Sequence, residues 1–317
     1  MATETSPPAR TDLRARVGLA QVCAAGLLWG TIGVFVQLVH RHAPLSALTI
    51  GGWRAVVAGL VVVTAALVAR RVPAVLLLVR SHGGRVVAAG LTTAAFQLCY
   101  FVAVVAVGVS VATVVALGLA PVLLVAVDSV RRRDARALLQ LPVVAAVAGL
   151  ALVCGGSGAG TTGPHPLLGV LTAVVAGISY AAATALSEPL SRRTDPLSLA
   201  TATMVVASVA MGAFGLVVAG VRGAPVTTAD PVAVGGLVYL GAVTMALAYG
   251  LLYAGLRTTP SGAALVATLL EPVAAVSLSA VFLGERLGVA GLAGSLLIVL
   301  AIASLGRRSR PPQPEPH

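Results

Sequence analysis

Apolar runs of about 20 residues, separated by short segments rich in arginine, glycine or proline, fill most of this 317-residue chain. A helix needs about 20 mostly apolar residues to cross the hydrocarbon core of a bilayer. Hydrophobic residues make up 58% of the sequence and charged residues only 10%, which excludes a soluble domain with polar outer faces. We therefore expect an all-α membrane protein of about ten transmembrane helices. The predicted spans are 17–38, 46–69, 86–107, 109–128, 138–155, 167–187, 197–220, 232–256, 260–283 and 287–306.

The arginines predict how these spans are oriented. The net charge of +11 comes from arginine alone, because the sequence has no lysine. A cytoplasmic N-terminus places 17 of the 21 arginines in cytoplasmic segments and only Arg41, Arg222 and Arg286 outside. Since positive residues mark cytoplasmic loops, we expect a multi-pass protein of the cytoplasmic (inner) membrane with both termini in the cytoplasm. The short arginine clusters do not form the continuous basic face with interleaved aromatics that nucleic-acid binding requires.

The sequence repeats itself with a shift of about 151 residues. This shift places Ser110 on Ser261 and Pro121 on Pro272, and it also places Trp29 on Tyr180. Each half then holds five spans, and an odd number of spans inverts the second half relative to the first. Inverted repeats of this kind support alternating access around a site near the membrane midplane.

The repeat defines the expected domain organisation. A first five-helix repeat covers 17–155 and a second covers 167–306, joined by an outer linker at 156–166. The polar tails, 1–16 and 307–317, are expected to be disordered.

Several motifs resemble one transporter family. They are Trp29-Gly30, Arg54, Pro121, Leu270-Glu271-Pro272-Val273, Leu283-Gly284-Glu285-Arg286-Leu287, Gly291 and Gly294. Together they resemble the EamA family of the drug/metabolite transporter superfamily over about residues 17–306. The resemblance implies ten-helix exporters of amino acids and other metabolites, some relatives transporting inward, with a cavity lined mainly by helices 1, 3, 4, 6, 8 and 9. The first half has Arg133-Asp134 where the second has Gly284-Glu285, so the internal symmetry is approximate.

Glu271 is the first candidate for a functional residue, because it lies near the middle of the ninth predicted span. A carboxylate there costs about 2.5–3.5 kcal/mol even on the lenient insertion scale. Pro272 follows and cannot donate a backbone hydrogen bond, which leaves a carbonyl one turn earlier for water, a side chain or substrate. We interpret Glu271 as a proton carrier or an anchor for a substrate amine, and the alternative is a protonated acid that only shapes packing.

Arg54 is the second candidate, at a depth of about 10 Å from the outer edge of the second span, while Glu271 lies about 18 Å from that edge. A long side chain can cover most of this gap, so the two residues could form a gate or a substrate clamp. Snorkelling of Arg54 to the outer interface is an equal alternative.

Further polar or aromatic side chains are expected along the cavity: Trp29, Gln97, Tyr100, Tyr180, Tyr249 and Tyr253. The last two are four residues apart and share a helix face, as do Gln97 and Tyr100 at a spacing of three. Such a pocket suits a zwitterionic or cationic metabolite, although each residue alone could simply pack between helices.

Prolines and the remaining acids have predicted structural roles. Pro121 and Pro272 are expected to bend their helices at equivalent depths beside the cavity. Glu285 is expected to cap the tenth helix. Glu188 and Asp195 lie among arginines near predicted cytoplasmic helix ends, where local ion pairs are expected.

These features favour a secondary transporter of small metabolites, most of all an exporter of amino acids or related compounds. An importer or an uncoupled facilitator of the same fold is the alternative, and a membrane-embedded enzyme or a sensor is the alternative of another class. No Walker-type nucleotide motif is present, and all five histidines are expected in loops or the tail, where none serves an enzyme at membrane depth. We expect no enzyme, cofactor or metal site. The expected partners are a small-molecule substrate and membrane lipid, without nucleic acid, and a homodimer is allowed.

Overall fold

The computed structural model describes residues 8–107, 109–132, 141–156, 165–283 and 289–308, and within these ranges every regular element is a helix. The first half contains α1 (Pro8–Gly30), α2 (Ile32–His42), α3 (Ala47–Val68), α4 (Val72–Val107), α5 (Val109–Arg132) and α6 (Leu141–Gly156). The second half contains α7 (Pro166–Ser191), α8 (Pro196–Val221), α9 (Pro231–Gly241), a π-helix (Ala242–Leu247), α10 (Ala248–Gly255), α11 (Ser261–Thr268), α12 (Leu270–Leu283) and α13 (Val289–Arg308).

Six helical segments are long and apolar enough to cross a membrane. They are Leu13–His42, Ala47–Val68, Val72–Val104, Leu167–Ser191, Pro196–Val221 and Pro231–Gly255. Three shorter apolar segments, Ala112–Leu124, Ser261–Ala275 and Val289–Ala301, lie in the remaining part of the described chain. The prediction of an all-α, multi-pass membrane protein is therefore confirmed, while the count of ten spans stays a prediction.

Several boundaries differ from the sequence prediction. Helix α1 begins at Pro8, so part of the expected disordered tail is helical. Helix α4 begins at Val72 and includes residues expected in a cytoplasmic loop; its backbone leaves helical geometry at His82, where two helices meet at a kink. His40 and His42 lie in the last turn of α2, not in a loop. Hydropathy detects only the apolar part of a helix, which explains why polar helical ends were assigned to loops.

Several helices begin at residues that favour a helix N-terminus. Pro166, Pro196 and Pro231 stand in the first turns of α7, α8 and α9, where a missing backbone N–H costs nothing. Asp195 accepts a hydrogen bond from the backbone of Ser198 at 3.0 Å, and equivalent caps are made by Ser46 and Asp230. Asp195 thus caps α8, and among the residues that the structure describes it forms no ion pair within 4.0 Å.

The two halves pack against each other through equivalent helix pairs. Helix α3 packs on α8, and α6 packs on α13. Helix α1 packs on the segments from the π-helix to α12, and α7 packs on α4 and α5. The 151-residue shift relates these contacts to one another. It converts the contacts of α1 with the π-helix to α12 into those of α7 with α4 and α5, and it relates α3 to α8 and α6 to α13.

Close contacts at two glycines follow the same exchange. A methyl group at Gly26 would lie 3.5 Å from the carbonyl oxygen of Ala267, and one at Gly177 would lie 2.8 Å from that of Ala116. The shift of about 151 residues converts the first pair into the second. Both sites need glycine because two helix backbones approach closely there.

Candidate functional site

Aromatic rings from four helices meet at the contact of the two halves. Trp29 of α1 contacts Tyr180 of α7 and Tyr249 of α10 edge to face, with ring centroids 6.5 and 5.3 Å apart. Phe96 of α4 stacks on Tyr180 at 4.6 Å, and Tyr253 lies 6.0 Å from Tyr249. Aromatic pairs prefer such offset and edge-to-face arrangements, so these rings hold one another in place.

A small cavity adjoins this cluster, between α4, α7 and α10. It is lined by Thr93, Phe96, Tyr180, Ala183, Thr184, Ser187, Tyr249, Leu252 and Tyr253. Its volume of about 10 Å³ is close to what a single water needs. The conformation is thus closed around the cavity. Its surface is almost entirely apolar, although three tyrosines and three residues with aliphatic hydroxyl groups line it.

Hydroxyl hydrogen bonds position two of the tyrosines. The Tyr180 hydroxyl donates to Oγ1 of Thr268 at 3.0 Å, which ties α7 to the end of α11. The Tyr253 hydroxyl and Oγ1 of Thr203 form a hydrogen bond of 3.0 Å between α10 and α8. Oγ of Ser187 is buried near the Tyr253 hydroxyl without a well-aligned hydrogen bond.

Arg54 lies beside the cluster, buried in α3 with 5% of its surface exposed. Nη1 donates to Oε1 of Gln97 at 3.0 Å, and Nη2 donates to the backbone carbonyl of Thr244 at 3.2 Å. Thr244 belongs to the π-helix, a widened turn that is frequent at functional sites. The side chain therefore points into the bundle and does not snorkel to the interface.

Glu271 lies at the start of α12, directly after the interruption of the helix at Leu269. It is partly buried, and a methyl group at Gly30 of α1 would lie 2.8 Å from its backbone carbonyl oxygen. No Arg54 nitrogen lies within 4.0 Å of a Glu271 carboxylate oxygen, although each charge acts on the other through space. The structure thus places the two predicted charges in one region without a direct ion pair.

The other predicted residues are distributed around this centre. Tyr100 bonds to Oγ1 of Thr113 at 2.6 Å and lies 6.0 Å from Phe96, but it does not line the cavity. Pro121 is buried within the continuous helix α5, whereas Pro272 is buried just after the break between α11 and α12. Glu285 lies outside the described residues.

Sequence reasoning missed Phe96 and the hydroxyl residues of the cavity. The signal was available, because helix neighbours at spacings of three, four and seven share one face. Counting from Tyr180, these spacings give Ala183, Thr184 and Ser187, all of which line the cavity. Within the described residues, no group of three or more histidine, cysteine, aspartate or glutamate side chains could hold a metal ion.

Comparison with known proteins adds three findings. Residues 16–155 and 167–307 each match the model of the EamA-like transporter family. A protein of Bacillus subtilis (strain 168), named "Uncharacterized transporter YwfM", is 27% identical over 293 residues, covering 91% of this chain and 93% of the relative. A solved structure titled "Crystal structure of protein" is similar with a TM-score of 0.73 and 19% identity, covering 92% of this chain and 98% of that one, and this likeness concerns the fold alone.

Proposed function

Because this chain belongs to the EamA-like transporter family, we propose that it is a secondary transporter that exports amino acids or related small metabolites across the cytoplasmic membrane. Family membership and the transporter-named relative point to a transporter and away from an enzyme. The direction and the substrate class are parts of the proposal.

One observation carries the proposal: Arg54 and Glu271 lie inside an apolar helix bundle, near a small tyrosine-lined cavity and the place where the two halves meet. Polar groups inside a membrane bundle mark substrate pathways because they are costly to keep there. The cavity is too small for a metabolite in this conformation, so the proposed transport cycle includes a state in which α4, α7 and α10 separate. Equivalent helix pairs across the two halves support alternating access, which needs two related packings of one bundle.

Glu271 has the central role in this proposal. Glu271 is partly buried with its backbone against Gly30, and its carboxylate forms no ion pair with Arg54. The carboxyl is therefore free to bind a substrate amine or a proton. The helix of the ninth span is interrupted at Leu269, about one turn before Pro272, where the proposed cycle would bend it. We propose that Glu271 exchanges its proton for the substrate amine during transport.

The test is export of a panel of amino acids from proteoliposomes, with and without an imposed pH gradient. Glu271→Gln keeps the volume and hydrogen bonding but cannot exchange a proton. Loss of a charge-assisted hydrogen bond of about 1.5–3 kcal/mol predicts a decrease in flux of roughly 10- to 150-fold. Folded yield should be unchanged. Asp230→Asn, which alters a helix cap outside the cavity, is the matched control and should transport normally.

Three outcomes would contradict different parts of the proposal. Full, pH-dependent transport by Glu271→Gln would remove the proposed role of this residue. Absence of flux for every compound in wild-type proteoliposomes would count against amino-acid export itself. Flux that ignores the pH gradient in wild type would leave an uncoupled facilitator.

A further inference from the structure

We propose that Arg54 and Gln97 form a carboxylate-binding site beside the central cavity. This inference rests on the proposed function and deepens it, because it assigns the acid group of the substrate to two named side chains. The complementary amine would then bind at Glu271.

The first observation is the incomplete compensation of the Arg54 charge. The guanidinium is nine-tenths buried, and its two bonds go to neutral oxygen atoms, those of the Gln97 amide and the Thr244 backbone. Among the described residues, no carboxylate oxygen lies within 4.0 Å of it. A buried cation is costly unless an anion pairs with it, so this side chain is prepared for a negatively charged group that the protein itself does not bring into contact.

The second observation is a pair of unused donors. Nε of Arg54 and Nε2 of Gln97 are both buried without a hydrogen-bond partner. The Gln97 amide orientation follows from its partner, because a guanidinium only donates and therefore faces the amide oxygen. The two donor atoms belong to side chains that one 3.0 Å hydrogen bond joins, so they are neighbours in the bundle.

The third observation connects this region to the cavity. Tyr249 lines the cavity, contacts Trp29, and lies close enough to Arg54 and Gln97 to interact with both. The Tyr249 hydroxyl lies near Gln97 without a well-aligned hydrogen bond to Nε2, so a carboxylate that binds Nε2 would replace this phenol as its neighbour. A ligand in the cavity would reach the two donors past the Tyr249 side chain.

The charges favour a carboxylate over a phosphate. One guanidinium balances one negative charge, and Arg–carboxylate pairs make strong charge-assisted hydrogen bonds. A phosphate dianion would place a second negative charge in the region that already contains Glu271. A zwitterion, in contrast, brings its carboxylate to Arg54 and its ammonium group to Glu271, and every charge is then paired.

The site can be tested by thermal unfolding of the purified full-length chain in detergent, with sodium acetate as the probe and sodium chloride at equal ionic strength as the reference. A ligand that binds only the folded protein raises its stability in proportion to the logarithm of its concentration above Kd. We expect the midpoint to rise with acetate in wild type, and to rise less with inorganic phosphate. No rise with acetate, or a larger rise with phosphate, would overturn the proposal.

Gln97→Glu provides the sharper test, because it places a carboxylate of the protein itself beside Arg54. This variant should have a higher midpoint than wild type in chloride and should no longer respond to acetate. Ser208→Ala removes another buried, unpartnered polar group, on α8 away from the cavity, and should respond like wild type. An undiminished acetate response in Gln97→Glu would overturn the site.

The same variants separate this inference from the proposed function. Acetate binding is measured without transport, so absence of amino-acid flux with an intact acetate response would reject amino-acid export and retain the anion site. Normal amino-acid flux without an acetate response would reject the anion site and retain amino-acid export.

Discussion

Trp29 and Tyr180 contact each other edge to face, with ring centroids 6.5 Å apart, although they occupy equivalent positions in the two halves of the chain. A residue that touches its own equivalent lies near the axis that relates the halves. The aromatic cluster and the cavity beside it are therefore close to that axis. This position is where a site must lie if it is to be reached in turn from both sides of the bundle.

We expect the Asp195 carboxyl to make the stability of the folded protein depend on pH. Partial burial opposes its ionisation, but hydrogen bonds from the Ser198 hydroxyl at 2.7 Å and backbone N–H at 3.0 Å outweigh this and hold the pKa of Asp195 below its ordinary value. A depressed pKa in the folded state stabilises the protein above the unfolded pKa of about 3.9, and this contribution is lost as pH falls through the folded pKa.

Thermal unfolding in detergent between about pH 6 and pH 3 tests this prediction. Asp195→Ala should lower the unfolding free energy by about 0.5–2 kcal/mol at neutral pH, because a helix cap is lost. Asp195→Asn keeps a capping oxygen but does not titrate, so its stability should fall less steeply with acid than that of wild type. If the stability of Asp195→Asn and that of wild type fall equally steeply with pH, the Asp195 carboxyl does not contribute to the pH dependence.

Gly177→Ala should destabilise the protein at a close contact between the two halves. The added methyl group would lie 2.8 Å from the Ala116 carbonyl oxygen, and only a shift of the backbone relieves that contact. We expect a loss of about 1–3 kcal/mol, the usual cost of overpacking. Gly250→Ala meets open space and is the control; it should be neutral or stabilising by up to about 1 kcal/mol. Similar unfolding midpoints for the two variants would contradict the close packing.

Contacts of Glu188 hold two helices together at one end of the bundle, and we expect them to limit the entry of solvent there. One carboxylate oxygen pairs with Arg192 at 2.9 Å, and the other accepts from the backbone N–H of Ser261 at 3.1 Å, so the end of α7 is tied to the start of α11. The expected ion pair is thus present, together with a cap that was not foreseen. Glu188→Ala should expose this end.

Maleimide labelling of Thr259→Cys, in a background without the native cysteines, measures the exposure. Thr259 is 5% exposed, so labelling should be slow in the parent. Loss of a charge-assisted bond of about 1.5 kcal/mol predicts labelling faster by roughly tenfold. Arg192→Ala keeps the Ser261 bond and should label like the parent. Equal acceleration by both substitutions would assign the effect to the surface ion pair.

The proposed orientation can be checked with single cysteines in intact cells. The arginine asymmetry predicts that Gly160→Cys reacts with a membrane-impermeant maleimide added outside. Arg310→Cys should react only after the membrane is permeabilised. Labelling of position 160 from the cytoplasmic side alone would refute the orientation and the inverted relation of the halves.

The sequence was sufficient for the class of fold, because the length and composition of apolar runs are dictated by the bilayer itself. The 151-residue repeat relates the contact of Gly26 with Ala267 to that of Gly177 with Ala116, although the sequence alone did not predict either contact. The kink at His82 and the π-helix could not be predicted, since both depend on tertiary packing that leaves no change in hydropathy.

The candidate site was only partly accessible from the sequence. Tyr180, Tyr249 and Tyr253 were chosen as amphipathic side chains in apolar runs, and the structure places all three on the cavity. The partners of Arg54 were not predictable, because the carbonyl of Thr244 becomes its acceptor only through the arrangement of α3 and the π-helix. A backbone acceptor carries no mark in the amino-acid sequence.

The interruptions of the helices are distributed unequally between equivalent spans. The first span breaks at Thr31, the eighth contains the π-helix and the ninth breaks at Leu269, whereas their equivalents in the described chain, α7, the later part of α4 and α5, are continuous. All three interruptions belong to one group of packed helices, in which α1 contacts the segments from the π-helix to α12, whereas α7, α4 and α5 form the equivalent group. Under the proposed alternating access, the inward-open and outward-open forms would have equal free energy only if both groups bent with equal ease. We therefore expect the empty carrier to favour one of the two forms.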